Sequence, residues 1–149
     1  MKIIIMRHGQ AEYSGQDRIL TPRGLADTAA VARRLAQRYT LTRVLTSTKT
    51  RTRQTAEQVL RTMGRDLKPE VLGELTPNGN PALVRSYLDA AAGPGDTVLI
   101  VSHIPLVQEL CYELTNHHEF GPEFATSSAQ VLDYDGTLAI MEGYFTPGA

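Results

Sequence analysis

The fold is decided by a stretch near the beginning of the chain, Lys2-Ile3-Ile4-Ile5-Met6-Arg7-His8-Gly9. Its uninterrupted apolar part, rich in isoleucine, is typical of a strand that is buried on both faces, as in a parallel sheet. A similar run recurs at Thr97-Val98-Leu99-Ile100-Val101-Ser102, and residues 43–46 predict a shorter strand. Because predicted helices separate these strands, the sequence predicts a three-layer α/β/α domain with a mainly parallel sheet.

Helix boundaries are predicted from prolines, capping residues and the spacing of apolar side chains. The four helices are expected at residues 22–39, 48–63, 81–92 and 105–114. Ser47 is expected to cap the second of them with its side chain. A polar loop that contains Gly9 and Gly15 is expected after the first strand. Asp135-Gly136 predicts a hairpin turn between two C-terminal strands.

The composition favours an ordinary globular protein. The chain has 149 residues, which suits a single domain over residues 1–149, and its 42% apolar and 21% charged residues exclude disordered, collagen-like and coiled-coil classes. No apolar run approaches the ~20 residues that span a membrane, and the first apolar run is too short for a signal peptide. The single cysteine, Cys111, cannot form an internal disulfide and lies on an apolar helical stripe, so we expect inert core and a cytoplasmic protein.

The charges are distributed unevenly along the chain. Residues 1–68 contain 14 Lys and Arg against 5 Asp and Glu, whereas residues 69–149 contain 1 against 11. Such asymmetry can indicate a nucleic-acid partner, but the arginines are not interleaved with aromatic residues and tryptophan is absent. We therefore expect no nucleic-acid partner. Several arginines lie instead near predicted strand ends and loops, where they suit a site for a small anion.

Three polar segments follow predicted strands directly. These segments are Arg7-His8-Gly9, Ser47 to Arg51, and Ser102-His103. In open α/β sheets, ligands bind outside the carboxyl ends of the strands. We therefore expect two histidines and two arginines to converge on one crevice, although they are scattered in the sequence.

This set of residue types has a clear chemical meaning. Arginine presents a planar fork that matches phosphate oxygens, and neutral imidazole keeps a lone pair that can attack phosphorus near pH 7. The helix predicted after His103 would add backbone donors for an anion. There is no Walker loop, and His117-His118 lacks further ligands at metal-binding spacing. We expect no metal or other cofactor, with arginine supplying the positive charge.

Four short sequence motifs and their order along the chain point to a known family. They are Arg7-His8-Gly9, Leu20-Thr21-Pro22-Arg23-Gly24, Ser47 through Thr55, and Ser102-His103. Together they resemble the RHG signature and the later conserved blocks of the histidine phosphatase superfamily. Three further segments, residues 74–79, 101–107 and 124–127, resemble the SixA-type phosphohistidine phosphatases. The resemblance spans essentially the whole chain and implies a phosphoglycerate mutase-like fold.

The resemblance also implies roles for individual residues. His8 would be the nucleophile that becomes transiently phosphorylated. Arg7, Arg51 and His103 would clamp the phosphoryl oxygens, and Arg18 would be a further contact.

Glu74 is the nearest match to the glutamate that acts as acid in larger relatives. The tryptophan-containing segment that follows this glutamate in many relatives is missing, since the chain has no tryptophan.

The implied activity is that of a metal-independent phosphatase that hydrolyses phosphohistidine on a protein. The resemblance points to a histidine phosphotransfer domain or a phosphocarrier as the substrate, with inorganic phosphate or another oxyanion binding in the site. A phosphatase of the same mechanism that acts on small phosphomonoesters is the main alternative. A catalytically inactive phosphate-binding module is a third reading, disfavoured because both histidines and both principal arginines are present.

Overall fold

The computed structural model describes residues 1–148, which form eight strands and four α-helices. The strands are β1 (Lys2–Arg7), β2 (Ala11–Ser14), β3 (Asp17–Leu20), β4 (Arg43–Thr46), β5 (Glu70–Val71), β6 (Thr97–Ser102), β7 (Ala129–Tyr134) and β8 (Ala139–Phe145). The helices are α1 (Pro22–Ala36), α2 (Thr50–Met63), α3 (Pro81–Ala91) and α4 (Leu106–Leu114). A single 3₁₀ turn covers Gly73–Leu75.

Six of the strands form the central sheet, in the order β5-β4-β6-β1-β7-β8. The first four strands in this order run parallel to one another, while β7 and β8 are antiparallel to their neighbours. The predicted mainly parallel sheet with a C-terminal hairpin is therefore confirmed. Because β4, β6 and β1 are parallel neighbours, the loops that follow them leave the sheet at the same edge.

The side chains of β1 alternate between two apolar cores. Ile3 and Ile5 lie in a cluster with residues of α3 and α4, whereas Ile4 and Met6 lie in a cluster with residues of α1 and α2. All four side chains are fully buried. Burying one such side chain is worth roughly 1.5–3 kcal/mol, so β1 joins the two cores strongly. The helices cover both faces of the sheet, which confirms the predicted three-layer arrangement.

The second helix begins later than the sequence analysis predicted. Its N-cap residue is Lys49, which makes no capping hydrogen bond with its side chain, and the helix starts at Thr50. The expectation that Ser47 caps this helix is therefore wrong. The Ser47 hydroxyl is fully buried and contacts the imidazole of His103 across the edge of the sheet instead.

The segment expected to be a polar loop after β1 is a β-hairpin formed by β2 and β3. Most of its side chains are exposed, so it lacks the apolar pattern by which strands are predicted. Tertiary contacts hold it instead. Leu20 is buried, and its N–H donates to Gln54 Oε1 on α2 at 2.8 Å.

Cys111 lies in the core between the sheet and the two C-terminal helices, where it is fully buried. Burial raises the pKa of its thiol to about 12, so the thiolate is not populated near neutral pH. Among residues 1–148, no helix is both long enough and apolar enough to cross a membrane.

The first turn of α1 packs tightly on the loop that follows β1. A Cβ added at Gly24 would lie 2.2 Å from the backbone oxygen of Gln10. Gly24→Ala is expected to lower the free energy of unfolding by about 1–3 kcal/mol, because the overlap outweighs the better helix propensity of alanine. Gly93→Ala, where an added Cβ meets nothing within 4 Å, is the control. Equal midpoints for both variants in urea unfolding would contradict this packing.

Candidate active site

The pairing of β1 with β6 places two imidazoles side by side. Arg7 is in register with Ser102, so His8 and His103 follow these strands at equivalent positions. The N–H of His8 donates to Ser102 O at 3.0 Å, which continues the ladder beyond the last paired residues. The two imidazole rings lie edge to face, with centroids 5.2 Å apart. Residues separated by almost a hundred positions in the sequence thus form one site.

The protonation pattern of the His8 ring follows from its hydrogen bonds. His8 Nδ1 lies 2.8 Å from Gly9 O, and a carbonyl oxygen only accepts, so Nδ1 carries the proton. His8 Nε2 is then left with its lone pair. The Nε–H of Arg51 donates to this atom at 3.3 Å. The nitrogen that has nucleophilic character is therefore the one that faces a guanidinium group.

Burial keeps the His8 ring neutral. Burial lowers its pKa to about 4, with smaller contributions from the positive charges of Arg51, Arg7 and Arg18, while the hydrogen bond to Gly9 acts in the opposite direction. At pH 7 the ring is therefore the free base, which is the form that can attack phosphorus.

Gly9 lets the chain after His8 pack closely against its surroundings. A Cβ at this position would lie 3.0 Å from Gly24 O, from Thr28 Oγ1 and from Ser127 Oγ. The N–H of Gly9 donates to Thr55 Oγ1 at 3.0 Å. These three hydroxyl residues, Thr28, Thr55 and Ser127, were not among the site residues expected from the sequence. Thr55 and Ser127 lie in segments that carry the family resemblance, but serine and threonine are too common in helices and loops for residue type alone to mark a contact with Gly9.

Arg7 is held at the rim of the site by one hydrogen bond and keeps another donor free. Its Nη1 donates to Phe124 O at 2.9 Å. Its Nε is buried and has no hydrogen-bond partner among the described residues. Buried donors are almost always paired in proteins, so an unpaired guanidinium donor next to the His8 imidazole is suited to an anion.

Arg18 reaches the site from the hairpin. Its Nη2 donates to Ala11 O at 3.3 Å, and its guanidinium lies 5.9 Å from the centroid of the Tyr13 ring. The hairpin is tied to the start of α2 by a hydrogen bond from Thr50 Oγ1 to the carboxylate of Asp17. After burial, the charge of Arg18 is the next largest effect that lowers the pKa of the other two guanidinium groups. Three guanidinium groups are thus crowded together, an arrangement that an anion would relieve.

His103 is almost completely buried and has one partnered and one unpartnered nitrogen. Its Nε2 lies 2.9 Å from Ser47 Oγ, whereas its Nδ1 has no partner among the described residues. Burial lowers the pKa of this ring to about 3, helped by the competing imidazole of His8, which would repel a second imidazolium, and by the positive charge of Arg51. Of the backbone donors expected at the start of α4, Val107 N donates to His103 O and Gln108 N donates to Pro105 O, so these two are engaged within the turn itself.

Glu74 forms a hydrogen bond with a residue close to it in the sequence. Its carboxylate accepts a hydrogen bond from the N–H of Asn80 at 2.7 Å, next to the start of α3. Within residues 1–148 it forms no hydrogen bond or ion pair with Arg7, His8 or His103. Its role as an acid stays a prediction.

The two C-terminal histidines lie in other surroundings. His117 stacks on Tyr112 with centroids 4.8 Å apart, and His118 Nδ1 lies 2.7 Å from Thr115 O. In the described part of the chain, no three His, Cys, Asp or Glu side chains form a group that could hold a metal ion.

Comparison with known proteins decides the family. The chain is 39% identical over 140 residues to the phosphohistidine phosphatase SixA of Escherichia coli (strain K12), covering 91% of this chain and 86% of that protein. The chain belongs to the histidine phosphatase superfamily. The sequence profile of branch 1 of this superfamily matches residues 3–76.

Further relatives agree with this assignment. The SixA homolog of Haemophilus influenzae (strain ATCC 51907 / DSM 11121 / KW20 / Rd) is 34% identical over 148 residues, covering 91% of this chain and 90% of that protein. A solved structure of the protein histidine phosphatase SixA complexed with tungstate superimposes with a TM-score of 0.90 at 35% identity, covering 99% and 98% of the two chains. The expected phosphoglycerate mutase-like fold is thereby confirmed.

The surroundings of His8 lead to a prediction about its titration. In the free protein the ring is expected to gain a proton only near pH 4, because burial and neighbouring cations oppose the imidazolium form. The unfolded chain binds this proton near pH 6.5, so stability is expected to fall as the pH drops from about 6.5 towards 4. NMR of the Cε1–H group measures the midpoint. A midpoint near 6.5 in the folded protein would contradict the described site.

Proposed function

We propose that this chain hydrolyses phosphohistidine on a protein, with His8 as the nucleophile and with no metal ion taking part. The observation that carries the proposal is the lone pair on His8 Nε2, held on a buried neutral ring among guanidinium groups. The names of the relatives, phosphohistidine phosphatase SixA and its homolog, support the same activity. The proposed substrate is a cytoplasmic histidine phosphotransfer domain or phosphocarrier protein.

In the first step, His8 Nε2 forms a bond to phosphorus while the bond between phosphorus and the substrate imidazole breaks. The substrate ring leaves as neutral imidazole when its other nitrogen already carries a proton, so this step needs no separate acid. In this proposal, Arg7, Arg51 and His103 contact the phosphoryl oxygens during the transfer. Their fixed charges and donors stabilise the charge of the transition state without further reorganisation.

In the second step, water attacks the phosphorus atom of the phosphorylated His8, and the bond between phosphorus and Nε2 breaks. Nδ1 keeps its proton and donates it in a hydrogen bond to Gly9 O. The electron pair that returns to Nε2 therefore restores the neutral ring directly. The protons of the attacking water remain on the released phosphate. The hydrogen bond between His8 and Gly9 therefore serves both steps.

The path of the chain supports a protein substrate over a small ester. Residues 52–102 form the rest of α2, β5, the 3₁₀ turn, α3 and β6, with short connections between them. Little chain remains here for an inserted lid that would close over a small molecule. A small phosphomonoester would gain few contacts in such a site, whereas a protein can bind to the surface around it. An ester also needs a proton for its alkoxide leaving group, typically worth 10²–10⁴-fold in rate.

A comparison of substrates tests this proposal. We expect kcat/KM for a phosphohistidine protein to exceed that for phosphoglycerate by at least about tenfold, close to 1.4 kcal/mol in transition-state binding. His8→Ala is expected to abolish turnover, while His117→Ala, which removes an exposed histidine elsewhere, keeps it. Both reactions are expected to proceed in EDTA.

Glu74→Gln completes the design. If Glu74 acts as an acid, this substitution should slow the ester reaction more than the phosphohistidine reaction, because only the ester has a poor leaving group. Equal or better turnover of the ester by the unmodified protein would favour the alternative, a small-molecule phosphatase. Undiminished turnover by His8→Ala would overturn the nucleophile itself.

A further inference from the structure

A chain of buried polar groups leads away from the site behind His103. Its Nε2 lies 2.9 Å from Ser47 Oγ, which in turn lies 2.8 Å from Thr52 Oγ1 at the start of α2. Ser47 and Thr52 are fully buried, and His103 is 2% exposed. The mechanism described above uses the imidazole but gives no role to either hydroxyl group. Buried hydroxyl groups are costly unless each donor and acceptor is paired, so their proton positions can be worked out.

Two arrangements of the protons put a hydrogen in both contacts of this chain and leave no hydroxyl proton unpaired. Ser47 Oγ accepts a hydrogen bond from Lys49 N at 3.1 Å in both. In the first, Thr52 donates to Ser47 and not to Lys49 O, which keeps its backbone donors, and Ser47 donates to His103 Nε2, which leaves the ring proton on Nδ1. In the second, His103 Nε2 donates to Ser47, Ser47 donates to Thr52, and Thr52 donates to Lys49 O at 2.8 Å.

The two arrangements differ in what His103 presents to the site. The first presents an N–H at Nδ1 and the second presents a lone pair. Nδ1 is the buried atom that has no partner among the described residues, and the rings of His103 and His8 are neighbours, with centroids 5.2 Å apart. A phosphoryl oxygen attracts an N–H and repels a lone pair. A phosphoryl group bound at His8 therefore selects the first arrangement.

We propose that Ser47 is a positioning residue that, together with Thr52, holds His103 in the tautomer whose Nδ1–H donates to a phosphoryl oxygen. This inference rests on the proposed function in one respect, that a phosphoryl group binds beside His8. A neutral ring has only one proton, and burial with several cations nearby disfavours a second one. By donating to Nε2, the hydroxyl at position 47 stabilises the tautomer in which the ring acts as a donor towards the substrate.

Nitrogen NMR of the His103 ring tests the inference directly. With tungstate bound to the wild-type protein, we expect Nδ1 to be protonated and Nε2 to be unprotonated. In Ser47→Ala, the fraction of rings protonated at Nδ1 is expected to fall, because the anion alone then opposes the Nε2 tautomer that histidine favours in water. Tungstate affinity is expected to fall about tenfold, as for one lost charge-assisted hydrogen bond. Thr52→Val, which removes the outer donor, is expected to shift part of the population in the same direction.

Ser102→Ala is the matched control. Ser102 is also a fully buried serine and precedes His103 directly, but its hydroxyl donates to Leu75 O and not to an imidazole. This variant is expected to keep the wild-type tautomer. Protonated Nε2 in the wild-type complex with tungstate would overturn the inference without any variant. So would an unchanged tautomer in Ser47→Ala.

Kinetics distinguish a positioning role of Ser47 from a merely structural one, because only a positioning role depends on the presence of His103. In His103→Asn, the amide nitrogen replaces Nδ1 as a donor and has no tautomer to be set. Ser47→Ala is expected to lower kcat/KM about tenfold with His103 present, but less than about twofold in the His103→Asn background. Equal losses in both backgrounds would indicate a packing role and overturn the inference. The NMR experiment uses only tungstate as the ligand. Its result can therefore be interpreted even if phosphohistidine proves not to be the substrate.

Discussion

The parallel pairing of β1 with β6 is the constraint on which the rest of the site depends. The last register pair, Arg7 with Ser102, and the hydrogen bond from His8 N to Ser102 O fix the two histidines at neighbouring positions on one edge of the sheet. The pairing is rigid because β1 is buried in two apolar cores, one on each face. A change deep in either core would therefore be transmitted to the separation of the two imidazoles.

Electrostatics then turns this geometry into a reactive site. Guanidinium groups would repel an imidazolium, and burial disfavours it as well, so both histidines stay neutral while the arginines stay charged. The site consequently combines a neutral imidazole, the form that can attack phosphorus, with cationic surroundings that suit a phosphoryl group. The same low pKa values reduce stability in acid. Below about pH 6.5 the unfolded chain binds protons at these histidines that the folded protein does not bind, so the free energy of unfolding falls.

Much of this could be predicted from the sequence, because the apolar runs that form β1 and β6 and the polar residues that follow them carry strong local signals. The convergence of His8 and His103 followed from a general rule about parallel sheets. The β2–β3 hairpin could not be predicted, since its stability comes from contacts such as Leu20 with Gln54 and not from an apolar pattern. The role of Ser47 could not be predicted either, because its hydroxyl contacts His103, which is distant in the sequence. Local sequence favours a helix cap at this position instead.

The most direct test of the central claim is a crystal structure of the protein, freed of divalent metal ions beforehand, with vanadate bound. Vanadium adopts the geometry of the phosphoryl group during transfer, so it marks the attacking atom. We expect a bond between vanadium and His8 Nε2, with the oxygens contacted by Arg7, Arg51 and His103 Nδ1. Vanadium bonded to His103, or bound among the arginines without contact to His8 Nε2, would contradict the account.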